Sequence, residues 1–244
     1  MGHIYTLAGP SGIGKTTFLS QVLKDKNTCK LTSLRRATSR PKRKDEIDGG
    51  FEGIEYNHYS ENHFLAKLCA NDFLHTEIFD KYLYGIEKIV INESLESEHD
   101  SIIMSGIRGA LHLKREHKED ITILYMYPGD ANTIITPAIF TDKTEEIAEL
   151  ERRLEKKYDE KNIEPTRFGK NRYIKERMRY NKVNLAIAAN ILRYAPNDIN
   201  ILINKKEDNE KNLTKSAIEQ FHDIIEKRHG LLPEKKQRST IEKM

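Results

Sequence analysis

The sequence predicts an α/β fold, a mainly parallel sheet flanked by helices, and three observations predict it. A short apolar segment, His3 to Ala8, runs into a glycine-rich turn and then a helical pattern. Two later segments, "SIIMSG" (Ser101 to Gly106) and "ITILYMYP" (Ile121 to Pro128), are apolar on both faces, as strands inside a parallel sheet must be. Strand and helix patterns alternate along the chain, which is the order a parallel sheet with crossover helices requires.

The elements follow in sequence. "KTTFLSQVLKD" places Phe18, Leu19, Val22 and Leu23 on one helical face. From Lys30 to Asp48 apolar residues are few and Arg and Lys abundant, so this stretch reads as an extended basic loop. The helical period returns in "YSENHFLAKLCANDF". Thr144 to Leu192 is a long, highly charged helical region, "INILINK" (Ile199 to Lys205) a further strand, and "KSAIEQFHDIIEKR" a closing helix. The polar tail after Pro233 is expected to fray.

Composition narrows the class. With 244 residues the chain is long enough to bury a sizeable core, and 37% hydrophobic with 32% charged residues describes a soluble, globular protein. A net charge of +3 gives no global argument for nucleic acid, although the positive charge is locally clustered. Cys29 and Cys69 have no metal-type spacing, and a reducing, cytoplasmic setting is expected. No apolar run approaches a membrane span, and a strand at the very start leaves no room for a cleaved signal. The sequence carries no signal of oligomeric state.

The strongest motif lies in "LAGPSGIGKTT". Gly9, Gly14, Lys15 and Thr16 satisfy G-x-x-x-x-G-K-[ST], and the strand–turn–helix context is the one this phosphate loop needs. Gly9, Ser11, Gly12, Gly14, Lys15, Thr16 and Thr17 would cradle a nucleoside triphosphate, with backbone N–H groups and a helix N-terminus facing its phosphates. Lys15 would reach the β- and γ-phosphates of ATP, and the Thr16 hydroxyl would coordinate Mg²⁺. A second motif, "TSRPKRKDEIDGG", holds Arg40 and Arg43 three apart in a segment that Pro41 keeps from being helical. Two such arginines can fork onto one phosphate, but taken alone this run reads more readily as a solvated basic stretch.

In order, "GPSGIGKTT", "TSRPKRKDEIDG…EYNHYS" and "NDFLHTEIFDKYLYG" resemble the guanylate kinase family. The resemblance extends to "LERRLEKK", "YIKERM" and "ILINK" and covers most of the chain. It implies a P-loop kinase fold over residues 1–230, with an acceptor-binding part at about 34–90, a helical lid at about 144–185 and a tail at 231–244. It further implies that Arg40, Arg43, Tyr56 and Tyr84 hold the phosphate of a small-molecule acceptor. Arg153 and Arg177 would embrace the transferring group, Lys157 would stand in for another lid arginine, and Asn204 would lie near the donor adenine. The spacing departs from the family at "GFEG", where about four extra residues separate Arg43 from Tyr56.

Other departures fall on the base-reading side. His75 stands where the family has a glutamate, Ile86 where it has a serine, and Met104 and Gly106 where it has two aspartates. These features, with "YLYGI" and "SGIRG", resemble the ribose 1,5-bisphosphate phosphokinases, in which case Arg108 would point toward the acceptor. His75 has a second reading as a packed histidine, and Arg108 as a surface residue. The expected activity is ATP-dependent phosphoryl transfer to a phosphate-bearing acceptor, either GMP or a related nucleoside monophosphate, or a sugar phosphate. A non-catalytic interaction module or a nucleotide-gated switch are the other classes. The intact phosphate loop argues against the module.

Overall fold

In the computed structural model of the protein, the described residues are 1–25, 31–42, 46, 55–129, 134, 145–160, 169–204 and 213–230. Arg43, the glycines at 49, 50 and 53, most of the 129–144 insertion and the 231–244 tail lie outside them.

The main sheet has five strands, all parallel, in the order β2 (Thr32–Leu34), β7 (Ser101–Met104), β1 (Ile4–Ala8), β8 (Ile121–Tyr127), β9 (Ile199–Ile203). β1 is central and buried at every position, which explains its unbroken apolar run. Helices α1 (Lys15–Val22) and α7 (Leu213–Arg228) meet beside the sheet, where Phe221 packs edge-on against both Tyr5 and Phe18. Each fully buried side chain of this kind contributes about 1.5–3 kcal/mol.

A second sheet of four strands, in the order β4-β3-β6-β5, stands beside the first. It comprises β3 (Arg36–Thr38), β4 (Tyr56–His58), β5 (Phe73–Phe79) and β6 (Tyr82–Glu87). The region expected to be an extended loop therefore carries β2 and β3. Helix α2 (Glu61–Cys69) is capped by Ser60, whose side chain accepts from the His63 N–H. The further helices are α3 (Lys88–Glu96), α4 (Ile107–His117), α5 (Glu145–Glu160) and α6 (Gly169–Tyr194). α6 buries Leu185, Ala188 and Ala189 in the main core and, nearer its start, Tyr173, Ile174 and Met178 in the same cluster as Ile147, Leu150 and Leu154 of α5. Twenty-six residues of helix span about 39 Å. Among the described residues, no helix is long and apolar enough to cross a membrane.

Candidate active site

The C-terminal ends of β1 and β7 open onto a cavity of about 390 Å³. In a parallel sheet this is where ligands bind. β1 delivers the chain into the phosphate loop, and Gly12 and Gly14 take left-handed backbone angles (φ 88° and 98°) that a side chain would strain. At Gly14 a β-carbon would also lie 3.2 Å from the Asn204 amide nitrogen. Asn204 donates to the Ile13 carbonyl at 2.6 Å and so braces the loop from behind. It is buried and lies outside the cavity lining.

Lys15 Nζ donates to the carbonyls of Gly9 and Pro10, at 2.9 and 2.8 Å. Burial, then the positive charge of Lys157, lowers its pKa to about 7. A negatively charged group beside it would favour the protonated form and raise the pKa again.

Helices α5 and α6 supply three more cations. Arg153, Lys157 and Arg177 all line the cavity with Lys15. Arg153 Nε is held at 2.7 Å by Glu149, whose own pKa falls to about 2 through hydrogen bonds from Arg152 and Arg153. Its Nη2 is buried with no partner among the described residues. Arg177 lies over the Phe79 ring at 4.0 Å and 3.9 Å from Asp80. One contact of α6 was invisible in the sequence. Asn181 accepts from the Ser11 N–H at 2.6 Å and donates to the Ser11 carbonyl at 3.1 Å, clasping the phosphate loop from both sides.

Opposite the loop, the second sheet presents Arg36, Arg40, Tyr56, Glu77 and Tyr84. Arg40 is gripped by Glu46, with Nη1 donating to Oε2 and Nη2 to Oε1, so its fork is oriented by a carboxylate. The Tyr56 and Tyr84 rings meet edge-on at 5.7 Å. Arg36, which the sequence reading passed over, donates to the Tyr56 hydroxyl (2.8 Å) and to Glu77 (3.2 Å). Burial opposes its charge, but Tyr56 and Glu77 outweigh that and raise its pKa. Its Nε is buried with no partner among the described residues. The signal was present: Arg36, Thr38 and Arg40 alternate, which puts them on one face of an extended strand.

Two other expected positions fall elsewhere. His75 packs against α4, its ring 5.7 Å from that of His112, and it does not line the cavity. Burial lowers its pKa, which keeps the imidazole neutral. Arg108 is exposed and borders a neighbouring recess between the β5–β6 turn and α6. Asp100, at the far end of β7, accepts from the His3 N–H and lies 3.3 Å from His229.

Comparison with known proteins agrees with this geometry. Residues 1–166 match the guanylate kinase family. A guanylate kinase of Clostridioides difficile is 31% identical over 160 residues, which are 65% of this chain and 74% of that protein. One from Hydrogenovibrio crunogenus is 33% identical over 128 residues, 52% of this chain and 59% of that protein, so the chain spans less than two thirds of that relative's length. In fold, the structure is similar to the crystal structure of guanylate kinase from Anaplasma phagocytophilum, with a TM-score of 0.58 and 15% identity over 96% of this chain and 88% of that one. With a phosphate loop facing an arginine–tyrosine sheet across one cavity and a matching stretch that covers more than half its length, the chain belongs to the guanylate kinase family.

Proposed function

We propose that the protein transfers the γ-phosphoryl group of ATP to a phosphate-bearing acceptor, and that the acceptor is GMP. The observation that carries this reading is the single cavity walled by the phosphate loop on one side and by Arg36, Arg40, Tyr56 and Tyr84 on the other. Phosphoryl transfer asks little covalent chemistry of a protein. It asks that two phosphates be held in line, their charge neutralised and water kept out.

On this reading Lys15 and the loop amides, with Gly9, Ser11, Gly12, Gly14, Thr16 and Thr17, hold the donor. Arg40 and Tyr84, with Tyr56 and Arg36 beside them, hold the acceptor phosphate. Arg43 is assigned to the same phosphate by resemblance alone. Arg153, Lys157 and Arg177 neutralise the charge that spreads over the moving group. Helices α5 and α6 act as the lid, and Asn204 positions the loop.

Magnesium fits as a companion of the donor phosphates. Among the described residues no group of three His, Cys, Asp or Glu could hold a metal. The end of β7 offers Met104, Ser105 and Gly106, and Ser105 already bonds Thr6 at 2.8 Å. The Thr16 hydroxyl, in the cavity lining, would hold the ion together with phosphate oxygens and water. When bound, the ion would neutralise phosphate charge.

The sugar-phosphate kinase alternative is not favoured. The family match and the relatives named above are guanylate kinases, and Arg108 lines the neighbouring recess. The test is acceptor-dependent ADP release from ATP and Mg²⁺ with GMP, dGMP, AMP, UMP, CMP and ribose 1,5-bisphosphate. Selective turnover of GMP is expected. ADP release that no acceptor stimulates would overturn the reading and favour a nucleotide switch.

A further inference from the structure

Beside the catalytic cavity lies the recess between the β5–β6 turn and α6, with a volume of about 870 Å³. That is the size of a small-molecule site, about 300–1,000 Å³. The phosphoryl transfer proposed above does not use it.

Its walls bring positive charge together from three separate elements. Lys81 comes from the turn, Arg108 from α4, and Arg172, Arg177 and Arg179 from α6. Among the described residues of the lining, the carboxylates are Asp80 and Glu176. Asp80 lies 3.9 Å from Arg177, and Glu176 3.9 Å from Arg172. Cations therefore outnumber carboxylates around a concave surface, where like charges repel one another and favour an anion. Phe79, Tyr173 and Tyr180 add ring surface to the lining.

The turn carries a second, independent sign of use. Asp80 and Lys81 hold left-handed backbone angles, φ 50° and 64°. Such angles suit glycine and strain other residues, and strain of this kind collects at ligand sites. Glycine at either position would relax the turn but remove a charged side chain from the recess.

Arg177 joins the recess to the catalytic cavity, because it lines both. Its guanidinium lies over the Phe79 ring at 4.0 Å and the Tyr173 ring at 5.1 Å. One guanidinium cannot serve anions fully on both sides at once.

We propose that this recess is a second ligand site, for a small molecule that bears phosphate groups, and that its occupancy slows phosphoryl transfer by drawing Arg177 toward the recess. Arginine forks suit phosphate oxygens, and Lys81 adds a point charge at the rim of the turn. The binding stands by itself, whereas the inhibition rests on the kinase reading.

The probe is inorganic pyrophosphate, titrated calorimetrically into the full chain with ADP and GMP saturating and Mg²⁺ absent. Wild type is compared with a double variant, Arg108→Ala with Arg179→Ala. Both side chains are exposed and neither lines the catalytic cavity, so fold and basal kcat should hold within about twofold. Wild type should bind pyrophosphate, and the double variant should bind it at least about tenfold more weakly. Lys81→Ala, on a separate element, should weaken it in the same direction. No binding by wild type, equal binding by the variants, or full displacement by more ADP or GMP overturns the site. In turnover with saturating ATP and GMP at fixed free Mg²⁺, pyrophosphate should lower the wild-type kcat about fivefold and spare the double variant. Inhibition that vanishes as ATP rises, or that persists equally in the double variant, overturns the coupling through Arg177. Absence of any turnover by the wild type overturns the kinase reading and the inhibition with it, while the calorimetry still decides the site.

Discussion

The two walls of the cavity differ in how they are built. The donor wall is one continuous run of chain, β1, loop and α1, whose chemistry is set by local glycine geometry. The acceptor wall is assembled from side chains on separate strands, with Arg36 and Arg40 from around β3, Tyr56 from β4, Glu77 from β5 and Tyr84 from β6. A contiguous loop tolerates little change, because its ligands are backbone amides in fixed order. A wall of separate side chains can change one residue without rebuilding the rest.

The largest test of this contrast is Lys15→Ala, expected to lower kcat/KM about a thousandfold by removing a cation from the transferring phosphate. A loss below tenfold would mean that the donor wall does not work as a unit. Next comes Arg36→Lys, which keeps the charge and loses the fork. KM for the acceptor should rise about thirtyfold while KM for ATP stays within threefold, since charge-assisted bonds are worth about 1.5–3 kcal/mol each. Equal changes in both constants would erase the distinction between the walls.

A pH series probes the donor wall alone. The Lys15 pKa sits near 7 instead of the usual 10.5, so the free protein sheds this charge as pH rises through 7. Bound phosphate favours the charged form. ATP affinity should therefore be full below pH 7 and fall by up to about tenfold per unit above it, as read by equilibrium titration between pH 6 and 8.5. A flat profile would show that Lys15 stays protonated without its ligand. The smallest effect is expected from Asn181→Ala, which removes two hydrogen bonds to Ser11. Thermal unfolding should report a loss of about 1–3 kcal/mol, and KM for ATP should rise a few-fold. An unchanged KM would mean that the clasp only holds the helix.

The same contrast explains what could be read in the sequence. β1, α1, β7, β8 and β9 were legible because their apolar patterns match buried parallel strands and an amphipathic helix. The β5–β6 hairpin was not. Its two-residue turn is Asp80–Lys81, both with positive φ (50° and 64°), where Asn-Gly or Asp-Gly is the usual signal. The phosphate loop was plain from spacing, since its function is local. Arg36 and Glu77 were accessible only through strand alternation, and the basic character of residues 30–48 hid β3 altogether. Asn181 had no local signal, because its partner lies 170 residues away and the contact exists only once α6 is docked.

That long-range clasp makes one amide a reporter. The Ser11 N–H exchanges with deuterated solvent only when Asn181 releases it. The exchange rate of this single proton thus counts how often the clasp opens, without any substrate present. A slow amide would describe a site that is closed by default and admits its nucleotides in rare openings. A fast one would describe a helix that waits for a ligand before it settles.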